Sequence, residues 1–99
     1  MTRLNHEICM AAQRHGFRYV GSVSPRFQAH GYCAQPQNFI NSITESENRQ
    51  LHYRGGMHPN VAGHAEIGAQ IAAALEQAMA GGAPPQDACP PLPDPSQCE

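Results

Sequence analysis

The residue in this sequence with the clearest chemical potential is His58, which lies in the run Gly55-Gly56-Met57-His58-Pro59-Asn60. An imidazole accepts and returns a proton near neutral pH, and it is the side chain that most often activates a serine hydroxyl for attack on a carbonyl. The two glycines leave room for a substrate, and Pro59 restricts the backbone beside the ring. The run therefore predicts that His58 is a proton-transfer residue.

Continued to His64, this run resembles the final conserved block of the SGNH (GDSL-like) ester hydrolases. In that family a histidine precedes the last helix and often continues as His-Pro-Asn-x-x-Gly-His, a pattern matched here by His58, Pro59, Asn60, Gly63 and His64. Residues 27–33, Phe-Gln-Ala-His-Gly-Tyr-Cys, look like a segment common in exported members, and residues 16–20 resemble the strand before it. The resemblance covers residues 4–80. It implies a serine acyl-enzyme mechanism on a small-molecule, lipid or carbohydrate ester, with His58 as the catalytic base and no cofactor or metal.

The sequence departs from the family pattern at the residue that orients the histidine. Family members usually carry Asp-x-x-His, and Gly55 occupies the aspartate position here. Some members use a main-chain carbonyl instead, so the resemblance implies that the Gly55 carbonyl orients the imidazole of His58. A carboxylate from Glu45 or Glu47 is the alternative.

The family's nucleophile block is missing from this sequence. No Gly-Asp-Ser, oxyanion-hole or Gly-x-Asn-Asp block occurs in the 99 residues. None of the serines has the strand–turn–helix setting that exposes a nucleophile; they are Ser22, Ser24, Ser42, Ser46 and Ser96. We therefore expect the C-terminal fragment of a hydrolase, inactive alone, whose partner is the missing N-terminal portion of the same domain.

Two helices are predicted on either side of this chemistry. Apolar residues from Leu4 to His15 recur at helical spacing, and Gly16 follows where a helix commonly ends. A second helix is predicted after Asn60 as N-cap, with Gly81-Gly82 as its stop. Its apolar stripe consists of Val61, His64, Ile67, Ile71, Ala74, Leu75 and Ala78. Because His64 lies on that stripe, we expect it to be a packing histidine.

Between the helices, the pattern predicts one strand and a long loop. Residues 17–23 alternate like a short strand, while residues 26–57 show no sustained period apart from a possible helical turn near Phe39 and Ile43. A helix–strand–loop–helix order is typical of the closing unit of a parallel α/β sheet, and the resemblance implies a flavodoxin-like sheet. A lone strand leaves its peptide groups unpaired, so the chain is expected to be incomplete. Residues 1–80 would belong to the hydrolase domain, and 81–99 would form a Pro-rich, disordered tail.

Two other functional classes stay open. The chain could be a non-catalytic remnant that completes the sheet of another chain, or a small zinc module. Candidate zinc ligands are His30, Cys33, His52, His58 and His64, although the tight paired spacings of zinc sites are lacking. The aromatic residues Tyr32, Phe39 and Tyr53 could line an acyl pocket or serve as plain packing.

Composition excludes several partners. The formal net charge is −2 and no basic stripe occurs, which argues against nucleic acid and anionic membrane surfaces. No apolar segment reaches the ~20 residues of a membrane span, and no signal peptide is present, so the compartment stays open. The four cysteines are expected to be mixed buried and tail thiols; Cys89–Cys98, or Cys33 with a cysteine elsewhere, are the alternative pairings.

Overall fold

The computed structural model describes residues 2–81 and 89–92, and most of these residues are helical. Helix α1 spans Thr2–Arg14, α2 Val23–Gln28, α3 Ile43–Gln50 and α4 Val61–Met79, with a 3₁₀ turn at Tyr53–Gly55. No strand occurs in this part of the chain, and an isolated antiparallel bridge joins Ile40 to Pro59. The chain divides into two compact units, Met1–Gly21 with Leu75–Glu99, and Ser22–Ala74.

The predicted α/β class is wrong for the described residues. Residues 17–20 have no regular structure, residues 21 and 22 form a turn, and Val23 begins α2 instead of ending a strand. A strand needs a neighbour for its peptide groups, and without one Phe17 is 72% exposed. Pro25 lies in the first turn of α2, where a helix does not need the missing N–H. The flavodoxin-like sheet implied by the resemblance is therefore not found in residues 2–81 and 89–92.

In the first unit, α1 ends where the sequence predicts. Gly16 has φ +69, and the N–H of Phe17 donates to the Ala12 carbonyl over 2.8 Å while that of Gly16 donates to Gln13 over 3.4 Å. These two bonds are those of a Schellman motif, in which a left-handed glycine satisfies the last carbonyls of a helix. The predicted stop at Gly16 is confirmed.

The same unit is closed by a disulfide that the sequence analysis did not predict. Cys9 is fully buried on α1 and is bonded to Cys89, 80 residues further along the chain. The Nδ1–H of His6 donates to the Pro90 carbonyl over 2.7 Å, which ties residues 89–92 to α1 at a second point. Cys33 is a free, exposed thiol. The predicted disorder of residues 82–88 and 93–99, and the fate of Cys98, lie outside the described residues.

In the second unit, α3 occupies part of the predicted loop. Ser42 and Glu45 form a capping box: the Glu45 N–H donates to Ser42 Oγ over 3.0 Å, and the Ser42 N–H donates to Glu45 Oε2 over 2.7 Å. This reciprocal pair satisfies two otherwise unpaired donors at the helix start. The expectation of one structureless connection over residues 26–57 is therefore wrong, since this range contains the second half of α2, all of α3 and the 3₁₀ turn.

Helix α4 has the predicted ends but turns a different face inward. Asn60 caps its start, because the Gly63 N–H donates to Asn60 Oδ1 over 2.9 Å, and Gly81 follows its end at φ +76. Of the predicted stripe, Val61 is 79% exposed and Ile71 51% exposed. The less exposed positions of the helix are Gly63, Glu66, Ile67, Gln70 and Ala74. Glu66 and Gln70, which lie outside the predicted apolar stripe, thus contribute to the covered face.

The covered face of α4 is partly polar. Glu66 accepts a hydrogen bond from Gln70 over 2.8 Å and lies 3.5 Å from the guanidinium of Arg26 on α2. His64, by contrast, is exposed, so the packing role predicted for it is wrong. Among described residues the buried side chains of this unit are Asn38, Asn41 and Ser46, all polar. Hydrogen bonds, more than apolar burial, therefore hold the segment around His58.

Candidate functional site

The loop that carries His58 is joined to residues 38–41 by a short antiparallel ladder. The Asn41 N–H donates to the His58 carbonyl over 2.9 Å, and the Met57 N–H donates to the Asn41 carbonyl over 2.9 Å. Met57 has φ +65, so Met57 and His58 together face Asn41. That arrangement is a G1-type β-bulge, in which one extra residue in the left-handed conformation re-aims the side chain after it. The bulge fixes the main chain on both sides of His58.

Asn60 fixes the other end of the same loop. Its N–H donates to the Phe39 carbonyl over 2.8 Å, its Nδ2 donates to the Asn38 carbonyl over 2.6 Å, and its Oδ1 caps α4. Gly63 is buried so close to this strand-like segment that a Cβ there would overlap the Phe39 carbonyl oxygen. Asn60 and Gly63, two residues of the matched block, therefore have structural roles in seating the loop on α4.

Gly55 is required by its surroundings. Its N–H donates to the buried Ser46 Oγ over 2.9 Å, and Ser46 Oγ donates to the His52 carbonyl over 2.7 Å. A Cβ at Gly55 would come within 2.7 Å of Gln50 Oε1 and 2.8 Å of Ser46 Oγ. An aspartate, as in the usual family block, would not fit here without displacing both neighbours. The glycine at position 55, where the family that the sequence resembles usually has aspartate, thus has a local packing reason.

The Gly55 carbonyl accepts a main-chain hydrogen bond in this loop. The donor is the N–H of His58, over 3.3 Å. The predicted role of this carbonyl, to orient the imidazole of His58, stays a prediction. The ring itself is exposed and has no hydrogen-bond partner among the residues that the structure describes.

Glu45, the alternative orienting carboxylate, is engaged elsewhere. Its Oε2 accepts from the Ser42 N–H over 2.7 Å and from Asn38 Nδ2 over 3.1 Å. The Ser42 main-chain bond is the largest of the effects that hold the pKa of this carboxyl below its usual value of 4.5; partial burial opposes it, and the Asn38 amide adds to it. Glu47 is exposed on α3. Neither carboxylate is bonded to His58 in the structure.

The imidazole of His30 is bonded to a main-chain carbonyl, the kind of contact that the sequence analysis predicted for His58. Its Nδ1–H donates to the Gln37 carbonyl over 2.6 Å, and its ring stacks on Phe39 with centroids 4.1 Å apart. Phe27 packs edge-on against Phe39 with centroids 5.3 Å apart. His30 is half-buried in this cluster, so it helps to hold Phe39, whose carbonyl accepts the Asn60 N–H of the loop. Spacing alone carried no signal for this role.

The other predicted site residues are not brought together. Phe39 lies in the aromatic cluster, whereas Tyr32 is 38% exposed and Tyr53 is 67% exposed. No group of three or more His, Cys, Asp or Glu side chains that could hold a metal ion occurs in the described part of the chain. The His30 Nδ1 atom, one of the candidate zinc ligands, already donates to a carbonyl.

Comparison with known proteins adds no family to this picture. No family model, curated protein or solved structure matches the chain. None of the helices within residues 2–81 and 89–92 is both long enough and apolar enough to cross a membrane.

Proposed function

We propose that this chain supplies the general base of a serine ester hydrolase, that His58 is this base, and that the serine nucleophile belongs to a segment outside this sequence. In the proposed reaction, the serine Oγ attacks the ester carbonyl while His58 takes its proton and then gives that proton to the leaving alcohol. A water then attacks the acyl-enzyme, with His58 again as the base. The oxyanion donors would come from the same outside segment.

A single observation carries this proposal: the main chain of His58 is held on both sides, while its exposed ring has no structural role among the described residues. Asn60 caps α4, and the absence of a Cβ lets Gly63 pack against the Phe39 carbonyl and Gly55 pack against the Ser46 side chain. The ring of His58, by contrast, has no partner among described residues. A rigid loop that presents an unengaged imidazole to solvent is what a transferable proton requires.

The serines described by the structure support a nucleophile from elsewhere. Ser46 is buried, and its Oγ accepts from Gly55 and donates to His52. Ser42 Oγ caps α3. Ser24 also has a partner, and Ser22 has ordinary right-handed backbone angles at the start of α2 rather than a strained turn. None of these four has the exposed, strained setting of a nucleophilic serine.

The test starts from the coding sequence on the N-terminal side of Met1. An in-frame Gly-Asp-Ser block there would define the polypeptide to express with this chain, and hydrolysis of p-nitrophenyl esters would be measured on it. We expect His58→Ala to lower kcat by about 10⁴-fold or more, with the fold kept, because a base that acts in the transition state is lost. His64→Ala, which removes an exposed histidine six positions further on, is the matched control and should keep the wild-type rate.

Two results would overturn the proposal. One is a His58→Ala enzyme with near-normal kcat. The other is a natural polypeptide that contains this chain, carries no serine block and hydrolyses no ester.

A further inference from the structure

Asn41 carries a buried polar atom that the fold leaves unused. The residue is only 8% exposed, and its Oδ1 has no hydrogen-bond partner among the described residues. A buried amide oxygen without a donor costs free energy, so most such groups in folded proteins have a hydrogen-bond partner. The neighbouring buried amide, Asn38, is satisfied through Ile40 and Glu45, so the unpaired state is particular to Asn41.

The main-chain pairing places Asn41 opposite Met57 and His58. Ile40 and Pro59 form the bridge pair, and the next pair along the two segments is Asn41 with His58, joined by the Asn41 N–H to His58 carbonyl bond of 2.9 Å. Residues opposite one another in a regular antiparallel pair project from the same face, with Cβ atoms about 4.5–5.5 Å apart; here the bulge sets both Met57 and His58 against Asn41. Within that distance an asparagine oxygen can accept a hydrogen bond from an imidazole.

We propose that Asn41 is the positioning residue for His58: when the ring turns inward, the His58 Nδ1–H donates to Asn41 Oδ1. This bond would satisfy the buried oxygen and fix the tautomer in which Nε2 carries the lone pair. Nε2 would then face the serine hydroxyl. The catalytic meaning of this contact rests on the proposed function, whereas the contact itself does not. Asn41 takes the place that the resemblance gave to the Gly55 carbonyl.

The other acceptors near the loop are already in use. Glu45 Oε2 accepts from Ser42 and Asn38, and the Gly55 carbonyl accepts the His58 main-chain N–H. The Asn41 carbonyl accepts the Met57 N–H, and the His58 carbonyl accepts the Asn41 N–H. A second-sphere acceptor is what sets the imidazole tautomer in histidine sites, and Asn41 Oδ1 is the buried one left without a donor.

The contact is tested on the full chain labelled with ¹⁵N at its histidines. At alkaline pH, where free imidazole is neutral, ring-nitrogen shifts and long-range couplings report the tautomer, and His58→Ala assigns the signals. We expect the Nδ1–H form of His58 to predominate in the wild type and in Asn41→Asp, which keeps an acceptor. It should give way to the Nε2–H form in Asn41→Leu. Asn48→Leu, the same change at an exposed site on α3, should leave it unchanged.

Folding is controlled separately. The backbone amide spectrum of Asn41→Leu should retain the wild-type dispersion, and Asn41→Ala, which removes the acceptor without adding bulk, repeats the measurement if it does not. Equal tautomer populations in the wild type and in a folded Asn41→Ala or Asn41→Leu chain would overturn the inference.

Kinetics separates this inference from the proposed function. In the ester-hydrolysing polypeptide, Asn41→Leu should lower kcat with KM nearly unchanged, and Asn41→Asp should restore most of the loss. If His58→Ala leaves the rate intact while Asn41→Leu still changes the tautomer, the hydrolase proposal fails and the contact stands. If His58→Ala abolishes ester hydrolysis while the tautomer populations of His58 are the same with and without the Asn41 amide, the proposed contact is wrong and the proposed function stands.

Discussion

Met57 holds a backbone conformation that favours glycine. Its φ is +65, and its N–H closes the bulge next to His58 by donating to Asn41. A non-glycine residue in the left-handed backbone conformation costs about 1–2 kcal/mol. Glycine removes that cost, but part of the gain in stability is offset because its unfolded state has more conformational entropy. The side chain of Met57 is 66% exposed, so its packing contributes little.

We therefore expect the free energy of unfolding of Met57→Gly to exceed that of Met57→Ala by about 1 kcal/mol. The glycine variant should accordingly unfold at a higher denaturant concentration. Alanine is the matched control because it loses the same packing and keeps the Cβ. Equal stability of the two variants in urea titrations would show that Met57 is unstrained at the bulge.

At this scale the block around His58 can be read from the sequence, whereas the residues that support its loop cannot. The block around His58 is local, so its residues can be read directly from the chain. Asn41 and Asn38 come from a segment with no periodicity, and only the ladder between residues 38–41 and 57–60 brings them to the site. Spacing within one segment carries no information about that pairing. The same holds for His30, whose partners Gln37 and Phe39 are set by a loop.

Among the helices, α3 carries a carboxyl group whose pKa is shifted by its hydrogen bonds. The capping box with Ser42 holds the pKa of Glu45 below 4.5, so the ionised carboxylate is stabilised in the folded chain. A folded-state pKa that is depressed adds stability at neutral pH, and that stability is lost as the pH falls through the folded pKa.

Glu45→Gln should therefore lower the thermal midpoint at pH 7, and the difference from wild type should shrink as the pH falls below 4.5. Glu47→Gln, on the exposed side of the same helix, is the control, and its thermal midpoint should match that of the wild type both at pH 7 and below pH 4.5. A Glu45→Gln deficit that persists undiminished at pH 2.5 would mean that the hydrogen-bond geometry, rather than the charge, matters.

The elements also show where sequence reasoning succeeded and failed. Helix ends were predictable because their signals are local: Gly16 after α1 and Asn60 before α4. The start of α3 has a local signal too, the capping box of Ser42 and Glu45. The strand over 17–23 failed because alternation describes a surface that must be buried, and no partner strand exists in the described residues to bury it.

At the scale of the whole molecule, the described residues bury little apolar surface. Cys9 is the buried hydrophobic residue of the described part, and Leu4, Ile8, Val61 and Ile71 are each about half exposed or more. A chain of this size has a thin stability margin, which makes a covalent link valuable. The link between Cys9 and Cys89 closes a loop over a separation of 80 residues.

Replacing both cysteines, Cys9→Ser with Cys89→Ser, should lower the free energy of unfolding by about 4 kcal/mol, since the unfolded chain regains the entropy of the open loop. Cys33→Ser removes an exposed free thiol and should leave stability unchanged. Peptide mapping without reductant checks the pairing, and a Cys89–Cys98 fragment in its place would contradict it.

The α4 face and the disulfide could not be predicted for the same physical reason. Both depend on which surfaces meet after folding, and the hydrophobic pattern of one helix does not fix its rotation when the core is small. Cysteine positions allow several pairings, and nothing in their spacing selects Cys9 with Cys89.

The covalent closure between residues 9 and 89 has a further consequence for the integrity of the molecule. A protease that cuts the backbone anywhere between these two positions releases no fragment, because the severed halves stay tethered through sulfur. Such a nicked molecule would keep its original mass, apart from one added water, until a reductant separates the pieces.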